Sequence, residues 1–394
     1  MRLSNITRIC AVLVDRANYG RMHPVMRSIQ SDPDLELLTI CAGSMLLERF
    51  GSAENIVASD GFAVDGRVYL EVEGSVPVTM AKSIGIGIVE FSSEFQRLSP
   101  DLVLLIGDRY EALAATIAAA YMNLQIAHIQ GGEVSGSIDE SCRHAISKFA
   151  HLHFPSTDRS AQFLRQMGER EDCVFNVGCP SGDYIIPLAP DLPSDTFNEL
   201  GVGAHVSPAE PYLLVIFHPV TTQYGSETAQ VKALLQALQA IGMPTIWIWP
   251  NIDAGGDAIS KVLRVYREHD DTGWLHLIKN MDPTTFQKAL KGAACAVGNS
   301  SSFVRDSTFS GTPIVLVGNR QTGREHGNNL IHVPAETREI KDAVEAQLAH
   351  GRYAPETLYG DGQASNRIVE LIKQFEPYQQ KTLQYVVSDE HANS

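Results

Sequence analysis

The stretch LVLLIGDRYEALAATIAAAY, residues 102–121, contains a whole strand-to-helix unit. Its first five residues, Leu102–Ile106, are apolar without alternation, as in a strand buried on both faces. Gly107 breaks the run, and Asp108-Arg109-Tyr110 lead into a helix of small residues at 111–121. The same rhythm recurs along the chain. Apolar runs at 9–14, 35–41, 126–129, 152–155 and 174–177 alternate with longer segments of helical period. A second series follows at 212–217, 244–249, 274–278, 294–297, 313–317 and 330–333. Such strands separated by helices predict parallel sheets covered by helices on both sides. The expected fold class is α/β, with two Rossmann-like domains facing a cleft.

The segment 185–210, rich in Pro, Asp and Gly, reads as a linker. The expected division is a first domain at 1–184 and a second at 211–363. A C-terminal helix and tail at 364–394 follow, with the helix a candidate to cross back to the first domain. The polar tail from Gln379 is expected to fray. A chain of 394 residues with 44% hydrophobic content is long enough for two cores. With 31 Lys and Arg against 46 Asp and Glu, its net charge is −15. That charge speaks against non-specific nucleic-acid binding, so an anionic ligand would need a local pocket. The six cysteines form no CxxC pair and no zinc-ligand spacing, so no metal site is expected. Free thiols suit a reducing compartment. The apolar run at 9–14 is too short for a signal peptide or a membrane span. The reading is a cytoplasmic protein with no membrane partner.

Candidate chemistry gathers at strand ends. Asp108 is placed either to cap the following helix or to project a carboxylate into a cleft. After the run at 126–129 come Gln130-Gly131-Gly132-Glu133, a turn that admits close backbone approach. Asp139 and Glu140 open the next helix, with Arg143 and His144 one turn on. His218, followed by Pro219 and two threonines, suits a phosphate contact or a proton carrier. Trp249-Pro250-Asn251 ends another strand and offers Asn251 to a ligand. Gly298-Asn299-Ser300-Ser301 opens a helix, so Ser300 and Ser301 are a candidate diphosphate seat, although Asn and Ser also serve as ordinary caps. Asp306 stands where ribose hydroxyls could be accepted, and Arg320 and Arg324 add cations nearby.

Taken together, these segments resemble the hydrolysing UDP-N-acetylglucosamine 2-epimerase family. The matching stretches are RANYG (16–20), GDRYEALA (107–114), HIQGGEVSGSIDES (128–141), RHAISK (143–148) and GCPSGD (178–183). HPVTT (218–222), PNIDAG (250–255), GNSS (298–301), GTP (311–313), NRQTGRE (319–325) and YGDG (359–362) follow in family order. The resemblance implies the GT-B arrangement, no metal and no cofactor. It implies a UDP-sugar as substrate, held by Arg16, Gly20, Arg109, Glu133, Asn251, Ser300, Ser301, Asp306 and Arg320, with Met281 near the uracil. Asp108 and Asp139 match the family's catalytic carboxylates, and His218 and Gln130 stand at catalytic positions.

Three residues depart from the family pattern. Asn18 stands in place of an acid, Met45 in place of a histidine, and Gln130 in place of a carboxylate. Gln hydrogen-bonds but is no base at neutral pH. The implied reaction removes the C2 proton as UDP leaves, then adds water at C1 and returns a proton to the other face of C2. UDP-N-acetylglucosamine would yield N-acetylmannosamine, for sialic-acid-type sugar synthesis. The sequence also admits UDP-N,N′-diacetylbacillosamine as substrate, a GT-B glycosyltransferase, or a weakened nucleotide-sugar-binding protein. Self-association of relatives implies a homodimer or homotetramer through the first domain, with the small-residue helix at 112–120 as a candidate face.

Overall fold

The computed structural model describes residues 7–269 and 272–384. Its first sheet contains β1 (Thr7–Leu13), β2 (Leu35–Ala42), β3 (Gly66–Val68), β4 (Leu102–Ile106), β5 (Gln125–Ile129) and β6 (Leu152–Phe154). The order is β3-β2-β1-β4-β5-β6, with every pairing parallel. The second contains β7 (Gly201–Gly203), β8 (Leu213–Ile216), β9 (Thr245–Ile248), β10 (Leu275–Ile278), β11 (Cys295–Gly298), β12 (Ile314–Val317) and β13 (Leu330–Val333). Its order is β13-β12-β11-β8-β9-β10-β7, parallel except for β7 against β10. The α/β class with two Rossmann-like halves holds. The central strands are buried along their whole length, which is why their sequences lack polar alternation.

Strand order decides where a ligand can go. In the first sheet the chain builds outward from β1 through β2 to β3, then returns to β4 on the other side of β1. In the second it runs from β8 to β9 and β10, then returns to β11 beside β8. Loops leaving the carboxyl ends of β1 and β4 therefore diverge, as do those leaving β8 and β11. Each pair opens a crevice at a topological switch point.

Several expectations need correction. Residues 174–177 form no strand; a single bridge links His153 to Val174. The segment read as a linker carries the helix Thr196–Leu200 and the edge strand β7. Strand β3 was not anticipated either. Each of these two strands is three residues long and contains glycine, so neither has an apolar run to betray it. The small-residue helix Tyr110–Tyr121 buries its alanines against the helix Pro77–Leu98 within the first half, so its small face is already used.

The helix Ala364–Gln374 does pack on the first half. Its Ile368, Val369 and Ile372 join Met22, Val25 and Ile29 of the helix Arg16–Ser31 in one core cluster. The tail beyond it is pinned rather than frayed as far as residue 384. Lys381 pairs with the buried Glu169, Tyr378 donates its hydroxyl to His151 O, and Gln384 N bonds Gly168 O. The rest of that tail lies outside the described residues. Among the described residues no helix is long and apolar enough to cross a membrane.

Ile368 is fully buried where the last helix meets the first half. Ile368→Ala should cost about 2 to 5 kcal/mol of unfolding free energy through lost burial and a residual cavity. Urea titration of the full chain checks this, and an unchanged midpoint would show that the helix contributes nothing to the first core.

Candidate active site

Both switch points open into one cleft enclosing about 1340 Å³ of empty space, its open mouth included. After β1, Asp15 caps the helix Arg16–Ser31 by accepting from Asn18 N at 2.6 Å. This sets Arg16 and Gly20 on the cleft wall, Gly20 against Pro283 and Arg16 Nη1 3.4 Å from Met281 O. After β4, Gly107 adopts φ +82°, a left-handed conformation that favours glycine, and turns Asp108 and Arg109 inward. His128 fixes that turn from below, with Nε2 2.7 Å from Gly107 O.

Across the cleft, β8 and β11 deliver His218 and Asn299, which clasp one another. His218 N donates to Asn299 Oδ1 at 2.7 Å, and Asn299 Nδ2 donates to His218 O at 2.8 Å. His218 Nδ1 accepts from Asn251 N at 3.1 Å. Burial, aided by the nearby Arg320, lowers the His218 pKa to about 3, so the ring is neutral at pH 7. With Nδ1 accepting, the proton sits on Nε2, and the ring can offer that N–H to a ligand. Ile248, Trp249, Met281, Pro283 and Phe286 line an apolar end of the cleft, while Ser300, Ser301, Ser302 and Arg320 line its polar side. Ser300 Oγ caps Ser302 N, and Ser301 Oγ accepts from Arg305 Nη2 at 3.0 Å.

Two carboxylates have opposite surroundings. Burial opposes the charge of Asp108, but Arg143, in direct contact, and Arg324, 3.8 Å away, outweigh it and hold the group below the usual carboxylate range. Asp139 lies behind Arg320, with Oδ2 3.0 Å from Nη2. Burial raises its pKa, and the charges of Asp108 and Asp253 push the same way. Burial likewise raises Asp306, which accepts from Gln287 Nε2 at 2.8 Å.

Not every expected residue reaches the cleft. Arg16, Gly20, Asp108, Arg109, His218, Asn251, Met281, Ser300, Ser301, Asp306 and Arg320 line it. Gln130 does not. It is fully buried at φ +65°, and its Nε2 points to Cys179 Sγ at 3.1 Å, because the left-handed backbone turns the side chain under the sheet end. Glu133 is also held back, 2.7 Å from Arg305 Nη1 and 2.6 Å from Arg324 Nη1. Arg109 lines the wall but is engaged by Glu111 at 2.8 Å, by Asp253 and, at 3.6 Å, by Asp15. Sequence reading missed Glu111, Asp253 and Arg305, and quoted Arg143 and Arg324 without these pairings. Apart from Glu111, which pairs with Arg109 two residues away, their partners are distant in the chain, and no spacing reveals them.

These contacts also join the halves. Arg109 reaches Asp253, while Arg305, Arg320 and Arg324 reach back to Glu133, Asp139 and Asp108. Gly136 N donates to Arg320 O at 2.9 Å, and a Cβ at Gly136 would lie 1.8 Å from Asn319 O, so only glycine fits that contact. Among the described residues no group of three or more His, Cys, Asp or Glu is placed to hold a metal ion.

Two Rossmann-like halves presenting their strand ends to a shared cleft make this a GT-B protein. The pattern defining the UDP-N-acetylglucosamine 2-epimerase family matches residues 27–373, and the chain belongs to that family. It is 35% identical over 369 residues to the UDP-N,N′-diacetylbacillosamine 2-epimerase (hydrolyzing) of Legionella pneumophila, covering 93% of this chain and 96% of that one. It is 30% identical over 368 residues to the UDP-N-acetylglucosamine 2-epimerase of Neisseria meningitidis, covering 93% and 94%. The crystal structure of Methanocaldococcus jannaschii UDP-GlcNAc 2-epimerase in complex with UDP-GlcNAc and UDP has the same fold. Its TM-score is 0.77 at 15% identity, over 94% of this chain and 100% of that one.

Burial, reinforced by the neighbouring Glu71, pushes Glu111 up to about 8 despite the pull of Arg109. An unfolded glutamate ionises near 4.3, so the folded chain holds a proton that the unfolded chain has lost. The stability linked to this group is full below that value and is lost as pH rises through 8. Melting temperature should therefore fall from pH 5 to pH 8.5, and Glu111→Gln should flatten the fall. Equal slopes for the two proteins in differential scanning fluorimetry would remove Glu111 as the source.

Proposed function

We propose that this chain is a hydrolysing 2-epimerase of a UDP-2-acetamido sugar, with UDP-N-acetylglucosamine and water giving N-acetylmannosamine and UDP. The observation that carries the reading is the pair Asp108 and Asp139 in opposite electrostatic surroundings, Asp108 on the cleft wall and Asp139 behind Arg320. Environments that drive two acids apart assign a base and an acid. Asp108, ionised, takes the C2 proton as the bond from C1 to the β-phosphate oxygen breaks, leaving a 2-acetamidoglucal and UDP. Asp139, with its raised proton affinity, returns a proton to the opposite face of C2 as water adds at C1, and the proton that water loses restores the acid. Arg16 and the Nε2–H of His218 meet the charge that develops on the leaving diphosphate. The apolar end with Met281 and Phe286 takes the uracil, Asp306 the ribose, and Ser300 and Ser301 the phosphates.

A second substrate, UDP-N,N′-diacetylbacillosamine, is favoured by the 35% identity to the Legionella enzyme that bears that name. Incubation of the purified chain with each sugar nucleotide, followed by NMR of UDP release and of the sugar product, separates the two. We further propose a homodimer or homotetramer through the first half, where Val78 and Val89 of the helix Pro77–Leu98 stand exposed.

Asp108→Asn should lower turnover about 100- to 10,000-fold while leaving UDP affinity nearly unchanged, because the amide keeps hydrogen bonding but loses basicity. Asp139→Asn should abolish the alkaline limb of the kcat profile, since the group it replaces must carry a proton. In D2O the product should carry deuterium at C2. Product without solvent deuterium would eliminate proton exchange at C2 and the mechanism with it.

A further inference from the structure

Six arginines are buried among the described residues, and five of them touch a carboxylate. Arg109 meets Glu111 and Asp253, Arg143 meets Asp108, Arg305 and Arg324 meet Glu133, and Arg320 meets Asp139. The sixth is Arg21. It lines the cleft, is 7% exposed, and its Nε has no partner; no hydrogen bond or ion pair joins it to any described residue. One turn earlier on the same helix, Asn18 is 1% exposed, and neither its Oδ1 nor its Nδ2 has a partner. The two side chains meet at the end of β4. A Cβ built on Gly107 would lie 3.5 Å from Arg21 Nη2 and 3.6 Å from Asn18 Nδ2, next to Asp108.

A guanidinium taken out of water without a counter-charge is costly, and burial together with the nearby Arg305 depresses its proton affinity. Asp15, Asp108 and Asp306 attract Arg21 from a distance but none touches it; Asp108 is held by Arg143, and Asp306 turns one oxygen to Gln287. The missing counter-charge has to arrive with a ligand. On a nucleoside diphosphate the formal charges are on the phosphates. Arg16 lines the same wall nearer Met281, and Arg21 is buried beside Asp108. We propose that Arg21 binds the substrate phosphate nearest the sugar, and that the neutral Asn18 beside it keeps the guanidinium unpaired for that purpose. This rests on the UDP-sugar reading above and adds a residue to it.

The test uses the full chain, with uridine and UDP as probes. Arg21→Gln should raise the UDP dissociation constant about 10- to 100-fold, the usual range for losing a charged hydrogen bond. It should leave uridine binding unchanged in an NMR titration, and Arg21→Lys should restore part of the UDP affinity. Without ligand, Arg21→Gln should melt at the same temperature as the parent or higher, because an unpaired buried charge is gone. Asn18→Asp, which supplies a carboxylate to Arg21, should also weaken UDP binding and raise the ligand-free melting temperature. Unchanged UDP affinity in Arg21→Gln overturns the proposal. So does a lowered ligand-free melting temperature with uridine and UDP weakened alike, which marks a structural arginine. If the parent chain itself fails to bind UDP, the UDP-sugar reading falls and the role of Arg21 falls with it.

Discussion

Arginine–carboxylate contacts cross the boundary between the two halves in both directions, and the cleft owes its shape to them. Arg109 extends from the first half to Asp253, and Arg305, Arg320 and Arg324 return to Glu133, Asp139 and Asp108. Each such group is expensive to desolvate and repays the cost only while its partner stays in place. Separating the halves would leave several buried charges unpaired at once. Directional bonds therefore hold the halves together beside the apolar cluster of Cys179, Ile185, Phe309 and Tyr359.

The same constraint explains which site residues were legible in the sequence. Asp108, His218 and Asn251 follow apolar runs directly, so their delivery to strand ends could be read from local pattern. Glu133 and Gln130 follow such a run too, yet neither reaches the cleft. The left-handed backbone at Gln130 rotates the chain before Glu133, and that rotation depends on how Gly132 packs against the carbonyl of Ser160. Arg143 and Arg305 sit inside helices, where their residue type alone suggests solvent exposure. Only the tertiary pairing with Asp108 and Glu133 shows that they are buried and part of the site.

The fold was more legible than the site, because long buried strands carry their own signal. Five of the six expected first-series runs became strands, and the exception, at 174–177, reduces to one bridge at the sheet edge. The edges escaped for the converse reason. Strands β3 and β7 are each three residues long, and their pairing is imposed by the neighbouring strand rather than by their own composition.

Charge balance ties the cleft's geometry to its chemistry. Arg143 and Arg324 make Asp108 a reluctant proton acceptor in the ligand-free chain, because a strongly stabilised carboxylate is a weak base. An anion bound in the cleft adds negative potential at Asp108 and at Asp139. In a site of low effective dielectric, that potential raises the proton affinity of both. On the proposed reading the diphosphate is thus more than a handle for binding. Its arrival strengthens the base just where the sugar is presented, and its departure as UDP weakens it again. On that reading, proton abstraction by Asp108 is coupled to an occupied phosphate site.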